Sequence, residues 1–164
     1  MTERKHLALL CAVAIIGLLI SPVSAIEAAP GDHIYRGFDR AQNHPDIDGN
    51  TIVWEDDRNG NKDIYLGTID QFRSQPSGYT GERITSDPAS QERPSISGNY
   101  IVWQDDRNGN WDIYLYDRST SVETQLTNDT GKQWLPAVHG NYVAWYDDSS
   151  GATNIVVYDI AEGA

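Results

Sequence analysis

Residues 103–114 read WQDDRNGNWDIY, and the same phrase returns as WEDDRNGNKDIY over residues 54–65 and, more loosely, as WYDDSSGATNIV over residues 145–156. Wider segments align with these centres: HPDIDGNTIVWEDDRNGNKDIYLG from His44, RPSISGNYIVWQDDRNGNWDIYLYD from Arg93 and LPAVHGNYVAWYDDSSGATNIVVYD from Leu135. The shared tryptophans, Trp54, Trp103 and Trp145, stand about 40 to 50 residues apart, a period that marks a repeat architecture.

Each unit reads as strands. In the second, Pro94 to Ile96 form a short strand, Gly98 and Asn99 a turn, and YIVW from Tyr100 a second strand. Asn108 and Gly109 mark a hairpin, WDIYLYD from Trp111 a third strand and VETQLT from Val122 a fourth. Successive apolar residues in the second strand imply that both its faces are covered, as in stacked sheets. The third alternates, with Ile113 and Leu115 on one side and Tyr114 and Tyr116 on the other. Helix signals are not evident after the N-terminal segment. Four short antiparallel strands in a repeated unit describe a β-propeller blade, so the expected fold is all-β with about three blades, centred near residues 45–66, 94–116 and 136–158. The first unit carries a longer link, GTIDQFRSQPSGYTGERIT from Gly67, read as a rim loop.

The unit YIVWQDDRNGNWDIYLYDRSTSVETQLT resembles the TolB-type propeller repeat, whose blades carry a run of the form Ser-Asp-Arg-x-Gly-x-x-Asp-Ile-Tyr and a Leu-Thr ending. Asp106, Arg107, Gly109, Asp112, Ile113, Tyr114, Leu126 and Thr127 match it, as do Asp57, Arg58, Gly60, Asp63, Ile64, Tyr65, Ile84 and Thr85 with one conservative change. The third copy departs, with Ser149 for the arginine and Asn154 for the second aspartate. The resemblance covers most of residues 26–164 and implies an exported binding or scaffolding protein of the envelope or cell surface. The repeat serves proteins of many roles, so the function follows only loosely from it.

The first 25 residues have the form of an export signal: Arg4 and Lys5, an apolar run from Leu7 to Ile20, a break at Ser21 and Pro22, and small residues Val23 and Ala25 before a cut. The run falls short of the roughly 20 residues a membrane span needs. Cleavage would leave a repeat region over residues 26–164 with no stable span, exported to the periplasm, the cell surface or the medium. It would also remove Cys11, the single cysteine, so neither a disulfide nor thiol chemistry would remain. With 24 acidic against 12 basic residues and a net charge of −12, the chain would repel nucleic acid and anionic lipid.

Three units stack but do not make a ring of the usual count. DHIYRG from Asp32 falls where a fourth strand would precede the first unit, while YDIAEGA follows the third strand of the last. Two expectations follow: part of a longer propeller, or half of a ring completed by self-association through complementary ends.

Asp105, Asp106, Asn108, Asn110 and Asp112 offer oxygen ligands around Gly109, a weak calcium candidate. Their spacing does not follow the twelve-residue calcium loop, and the favoured reading is a hairpin fastening in which Arg107 pairs with Asp112. DIDGN from Asp46 is a second weak calcium-like string, read as an interstrand turn. Glu55 with Asp56, or Gln104 with Asp105, point to opposite faces of a strand and so do not form an acid/base pair for glycoside hydrolysis. The histidines form no ligand cluster, and no catalytic triad is visible, so the chain is expected not to be an enzyme and to need no cofactor. A fragment of a glycan- or peptide-processing enzyme, or a truncated propeller without independent function, is the alternative. The recurring tryptophans read as core. Trp111 and Trp134 do not recur, and with Tyr79 in the long link they are the candidates for a surface that binds protein or carbohydrate.

Overall fold

The computed structural model describes residues 41–75 and 79–163; the expected export signal, Cys11 and the stretch DHIYRG lie outside them. The described residues form three antiparallel sheets. The first orders β1 (Gln42–Asp48), β2 (Thr51–Asp56), β3 (Asp63–Thr68) and β4 (Glu82–Arg83). The second orders β5 (Gln91–Ser97), β6 (Tyr100–Asp105), β7 (Asp112–Asp117) and β8 (Val122–Gln125). The third has β9 (Gln133–His139), β10 (Tyr142–Asp147) and β11 (Asn154–Asp159), with no fourth strand among the described residues. The sheets stack in chain order without closing, as blades of a partial propeller. Strand β5 packs on β1 and β2, and β9 packs on β5 and β6.

Both faces of the second strands are covered, as their apolar runs require. Val53 and Ile64 of the first sheet pack with Ile101, Trp103 and Tyr114 of the second. Val102, Ile113 and Leu115 of the second pack with Val143 and Trp145 of the third. The alternation in β7 therefore serves two cores, with Tyr114 and Tyr116 in one and Ile113 and Leu115 in the other.

The innermost strands share a bulge. Their registers shift between Asn43 and Asp46, between Glu92 and Ser95, and opposite Ala144 and Tyr146. Within each shift a residue before proline takes a positive φ: His44 at 49°, Arg93 at 55° and Leu135 at 52°. Proline has no N–H for the ladder, and the residue before it is disfavoured in helical space, so each bulge is strained and needs an anchor. The anchor comes from the preceding sheet. Glu55 accepts the Arg93 N–H at 2.9 Å, and Gln104 in the same repeat position accepts the Leu135 N–H at 3.0 Å. Further along, Asp46 accepts from the Ile96 N–H at 2.9 Å and Asp48 from the Gly98 N–H at 2.5 Å. The DIDGN string thus includes a turn and a clasp between blades.

The long link of the first unit contains a helix, α1 (Ile69–Ser74), which the sequence reading did not expect. Its start is a capping box: Thr68 accepts the Gln71 N–H while the Gln71 side chain accepts the Thr68 N–H. Phe72 and Tyr79 then cover Trp54 and Tyr65 on the outer face of the first sheet. Gly81, with φ 72°, passes so close to the Trp54 ring that a β-carbon would overlap it.

Candidate functional site

The acidic hairpins are occupied by their own side chains. Asp105 is buried and accepts from Trp103 Nε1 at 3.0 Å, from the Arg107 N–H at 3.0 Å and from Arg107 Nη2 at 2.6 Å. Arg107 lies over the Tyr114 ring and also reaches Glu123 at 2.7 Å. The arginine therefore pairs with Asp105 and Glu123, where the sequence reading had placed it on Asp112. Asp112 accepts instead from Asn108 at 3.0 Å and from Gln125 at 3.2 Å. Asp106 accepts the Ser90 N–H at 2.7 Å, and Asn110 donates to the carbonyls of Asp129 and Gly131. The first hairpin repeats this plan: Arg58 pairs with Asp56 and lies over Tyr65. Burial pushes the Asp56 carboxyl up, but hydrogen bonds from Arg58 and Gln42 outweigh it and hold the group down to about 2. The turn itself is closed by the Gly109 N–H on the Asp106 carbonyl at 2.9 Å, with Gly109 at φ 91°.

At the junction of the first two sheets Glu55 gathers a polar group that the sequence reading had not assembled. His44 Nδ1 and Lys62 Nζ stand 2.9 and 3.1 Å from its Oε1. These are ion-pair distances, and neither contact is aligned as a hydrogen bond. Lys62 also reaches Glu92 at 2.9 Å. Burial raises the Glu55 carboxyl, yet the Arg93 N–H and the contacts with His44 and Lys62 leave it below its ordinary value. In the repeat alignment Glu55, Lys62 and Glu92 correspond to the uncharged Gln104, Trp111 and Trp134, so the ion-paired cluster has no counterpart in the next repeat. Trp111 is half-buried in the hairpin, and its carbonyl accepts the Gln133 N–H at 2.8 Å.

Trp134 lies elsewhere, on the far face of the third sheet. Its ring stacks on Tyr146 with centroids 5.8 Å apart. Tyr146 is directly opposite both Trp134 and Ile155, and Ala144 is opposite both Ala137 and Val157. With Tyr142 at one end, this face shows an apolar centre across three strands. In the first two sheets the same face is covered by the next blade. Ile64 and Ile113 have no exposed surface, whereas Ile155 is 59% exposed. Tyr146, in the position of buried Glu55 and Gln104, is 40% exposed, and Val157 is 61% exposed. Beside the face, β11 has an edge that in the other sheets pairs with β4 or β8. Among the described residues no strand pairs with that edge of β11, and an unpaired edge next to an uncovered apolar face is the form of an interaction surface.

Of the three aromatics singled out by sequence, Trp134 is part of this surface, Trp111 sits at the second junction, and Tyr79 is buried against Phe72 with its hydroxyl donating to Gln71 at 2.8 Å. Tyr142, Tyr146, Ile155 and Val157 were not foreseen. A signal for one of them was present: Tyr146 replaces the polar residue that pins the next blade. Among the described residues, no group of three or more histidine, cysteine, aspartate or glutamate side chains is placed to hold a metal ion. No described helix is long and apolar enough to cross a membrane.

No family model and no curated protein matches the chain. Solved structures do. The TolB-type structure from Agrobacterium tumefaciens matches over 71% of this chain and 40% of its own, at 23% identity and TM-score 0.56. TolB from Acinetobacter baumannii matches over 79% and 32%, at 21% identity and TM-score 0.57. Dipeptidyl peptidase 4 from Porphyromonas gingivalis matches over 77% and 18%, at 15% identity and TM-score 0.59. The chain thus spans well under half of each of these proteins. At such identities the likeness is one of fold alone, that of a partial β-propeller.

Proposed function

We propose that this chain is a non-enzymatic binding or scaffolding module, exported to the envelope or cell surface, that engages its partner through the far face of the third sheet. The observation that carries the reading is the pair Tyr146 and Ile155, exposed where the preceding sheets bury the same positions, with Trp134 stacked on Tyr146 beside them. Rigid aromatics on a strand scaffold supply large contact area at low entropic cost. The hairpin carboxylates support a binding role in a second way: Asp56, Asp105 and Asp112 are each engaged by side chains of the same hairpin. Export rests on the form of residues 1–25.

The test is a charge placed in the exposed row, Val157→Asp, followed by cell fractionation. The parent chain is expected outside the cytoplasm in association with the envelope. The variant is expected to be exported and to melt within a few degrees of the parent, yet to lose that association. A parent chain retained in the cytoplasm, or a variant that associates as the parent does, would overturn the reading.

A further inference from the structure

The third hairpin departs from the other two at the residue that fastens them. In the first repeat three donors converge on Asp56: Gln42 Nε2 at 3.1 Å, Trp54 Nε1 at 3.4 Å and the Arg58 guanidinium. In the second, Asp105 accepts from Trp103 Nε1 and takes a two-point contact from Arg107, Nε on Oδ1 at 3.0 Å and Nη2 on Oδ2 at 2.6 Å. Both carboxylates are fully buried, and both guanidinium groups lie over a tyrosine ring, 4.2 Å from its centre. The third repeat keeps the carboxylate, the tryptophan and the glutamine as Asp147, Trp145 and Gln133. It places Ser149 where the arginine would stand and Val156 where the tyrosine would.

The exchange leaves polar atoms without partners. Among the described residues the Asp147 carboxylate is hydrogen-bonded by Ser149 alone, whose N–H and hydroxyl both meet Oδ1, at 2.7 and 2.5 Å. No arginine, lysine or histidine among them pairs with it. Trp145 Nε1 is buried without a hydrogen-bond partner, and so are both side-chain polar atoms of Gln133, which has no exposed surface. These two side chains are the counterparts of donors that converge on Asp56, and Gln133 stands directly opposite Asp147 on β9. Buried amide and indole groups are ordinarily paired, so three unmet atoms beside one carboxylate mark a place for a cationic hydrogen-bond donor. Burial pushes the Asp147 carboxyl up, but the hydrogen bonds from Ser149, helped by the nearby Gln133 and Trp145, outweigh it and keep the group below its ordinary value. Unlike Asp56 and Asp105, Asp147 opens to the surface, at 8% exposure, beside exposed Ser149 and Ser150.

We infer that the hairpin between β10 and β11 receives an arginine side chain from a partner protein, its guanidinium pairing with Asp147 as that of Arg107 pairs with Asp105. The fork of N–H groups suits the site because it can donate to Asp147 Oδ2 and to the side-chain carbonyl oxygen of Gln133 together, which the point charge of a lysine does less well. Ser149, Ser150 and Val156 are smaller than the Arg107, Asn108 and Tyr114 that they replace, so this side of the hairpin carries less bulk against an arriving side chain. A net charge of −12 favours a basic partner. Tyr146 and Asp147 are neighbours on β10 and point to opposite faces, so the site is separate from the far face of the third sheet and goes beyond its reading as a docking surface.

The test follows the assigned indole N–H resonance of Trp145 in proton–nitrogen correlation spectra of the full chain. N-acetylarginine amide, which presents arginine as a protein does, is expected to shift it saturably in the millimolar range, whereas N-acetyllysine amide is not. Asp147→Asn, which keeps an acceptor for Ser149, is expected to abolish the response. Ser149→Arg, which supplies the guanidinium from within the chain, is expected to melt a few degrees above the parent and to ignore the ligand. A parent without a saturable shift overturns the inference, and so does an equal response to the lysine compound or a response that survives Asp147→Asn or Ser149→Arg. Free arginine binding more tightly than the amide would overturn the partner protein as the source and assign the site to a small solute.

Discussion

Glu55 of the first sheet accepts the backbone N–H of Arg93 in the second at 2.9 Å, across a junction where neither residue has any surface-sequence relation to the other. The bond holds a strained residue before Pro94 and joins one repeat to the next. Glu55→Ala would leave that N–H without its acceptor and Lys62 without a buried partner, a loss of about 2 to 3 kcal/mol. Glu55→Gln keeps the acceptor, as Gln104 does for Leu135, and should cost markedly less. Urea denaturation of the two variants measures the difference; equal losses would mean that charge, and not the bond to Arg93, is what matters.

Acid should unfold the protein through the same junction and the adjoining hairpin. Glu55 and Asp56 have folded-state pKa values below their ordinary ones, Asp56 at about 2. A depressed carboxyl contributes stability that is fully present above its unfolded value, near about 4, and is lost as pH falls through the folded value. For Asp56 the contribution is on the order of 2 kcal/mol. Unfolding free energies at pH 6 and at pH 2.5 should differ in that direction, and Asp56→Asn should shrink the difference.

The tryptophans divide by position. Trp103 has no exposed surface and sits between the first and second sheets, so Trp103→Ala should cost about 3 to 5 kcal/mol. Trp134 loses only its stacking on Tyr146 in the separate chain, about 0.5 to 1.5 kcal/mol. Thermal melts of the two variants measure the difference; equal losses would mean that Trp134 is packed as tightly as Trp103.

Calcium should leave the melting temperature unchanged. The oxygens of Asp105 and Asp112 are already bonded to Trp103, Arg107, Asn108 and Gln125, and Arg107 keeps a cation where a metal would need room. Melts in millimolar calcium and in chelator test this; a rise of several degrees with calcium would reopen the hairpin as a metal site.

Much of the fold was legible because the repeat reports itself. Successive apolar residues at Ile101, Val102 and Trp103 announced a strand covered on both faces, and the alternation from Ile113 to Tyr116 assigned each side chain to its core. The helix α1 was missed although Thr68 and Gln71 spell a capping box, since the surrounding Gly, Ser and Pro residues read as loop. The Arg107 pairing was misplaced because Asp105 and Asp112 stand directly opposite each other on one side of the hairpin: Asp105 also accepts the Arg107 N–H, while Asp112 is taken by Asn108 and Gln125. The least legible part was the contact between repeats. Asp46, Asp48 and Glu55 each bind backbone in the next unit, and an acceptor about 40 to 50 residues from its donor leaves no local pattern. The exposed row at Tyr146 was hidden similarly, because Ile155 and Val157 look like core until the covering sheet is found to be missing from the described residues.

The claim at the centre is that partners meet the third sheet's far face and that the arginine-bearing hairpins only fasten the blades. A photo-crosslinking residue placed at Tyr146, and separately at the hairpin position Asn59, tests it in the exporting cell. The account predicts strong adducts from position 146, whether to a second copy or to another envelope component, and almost none from position 59. Adducts from the hairpin with a silent position 146 would contradict it.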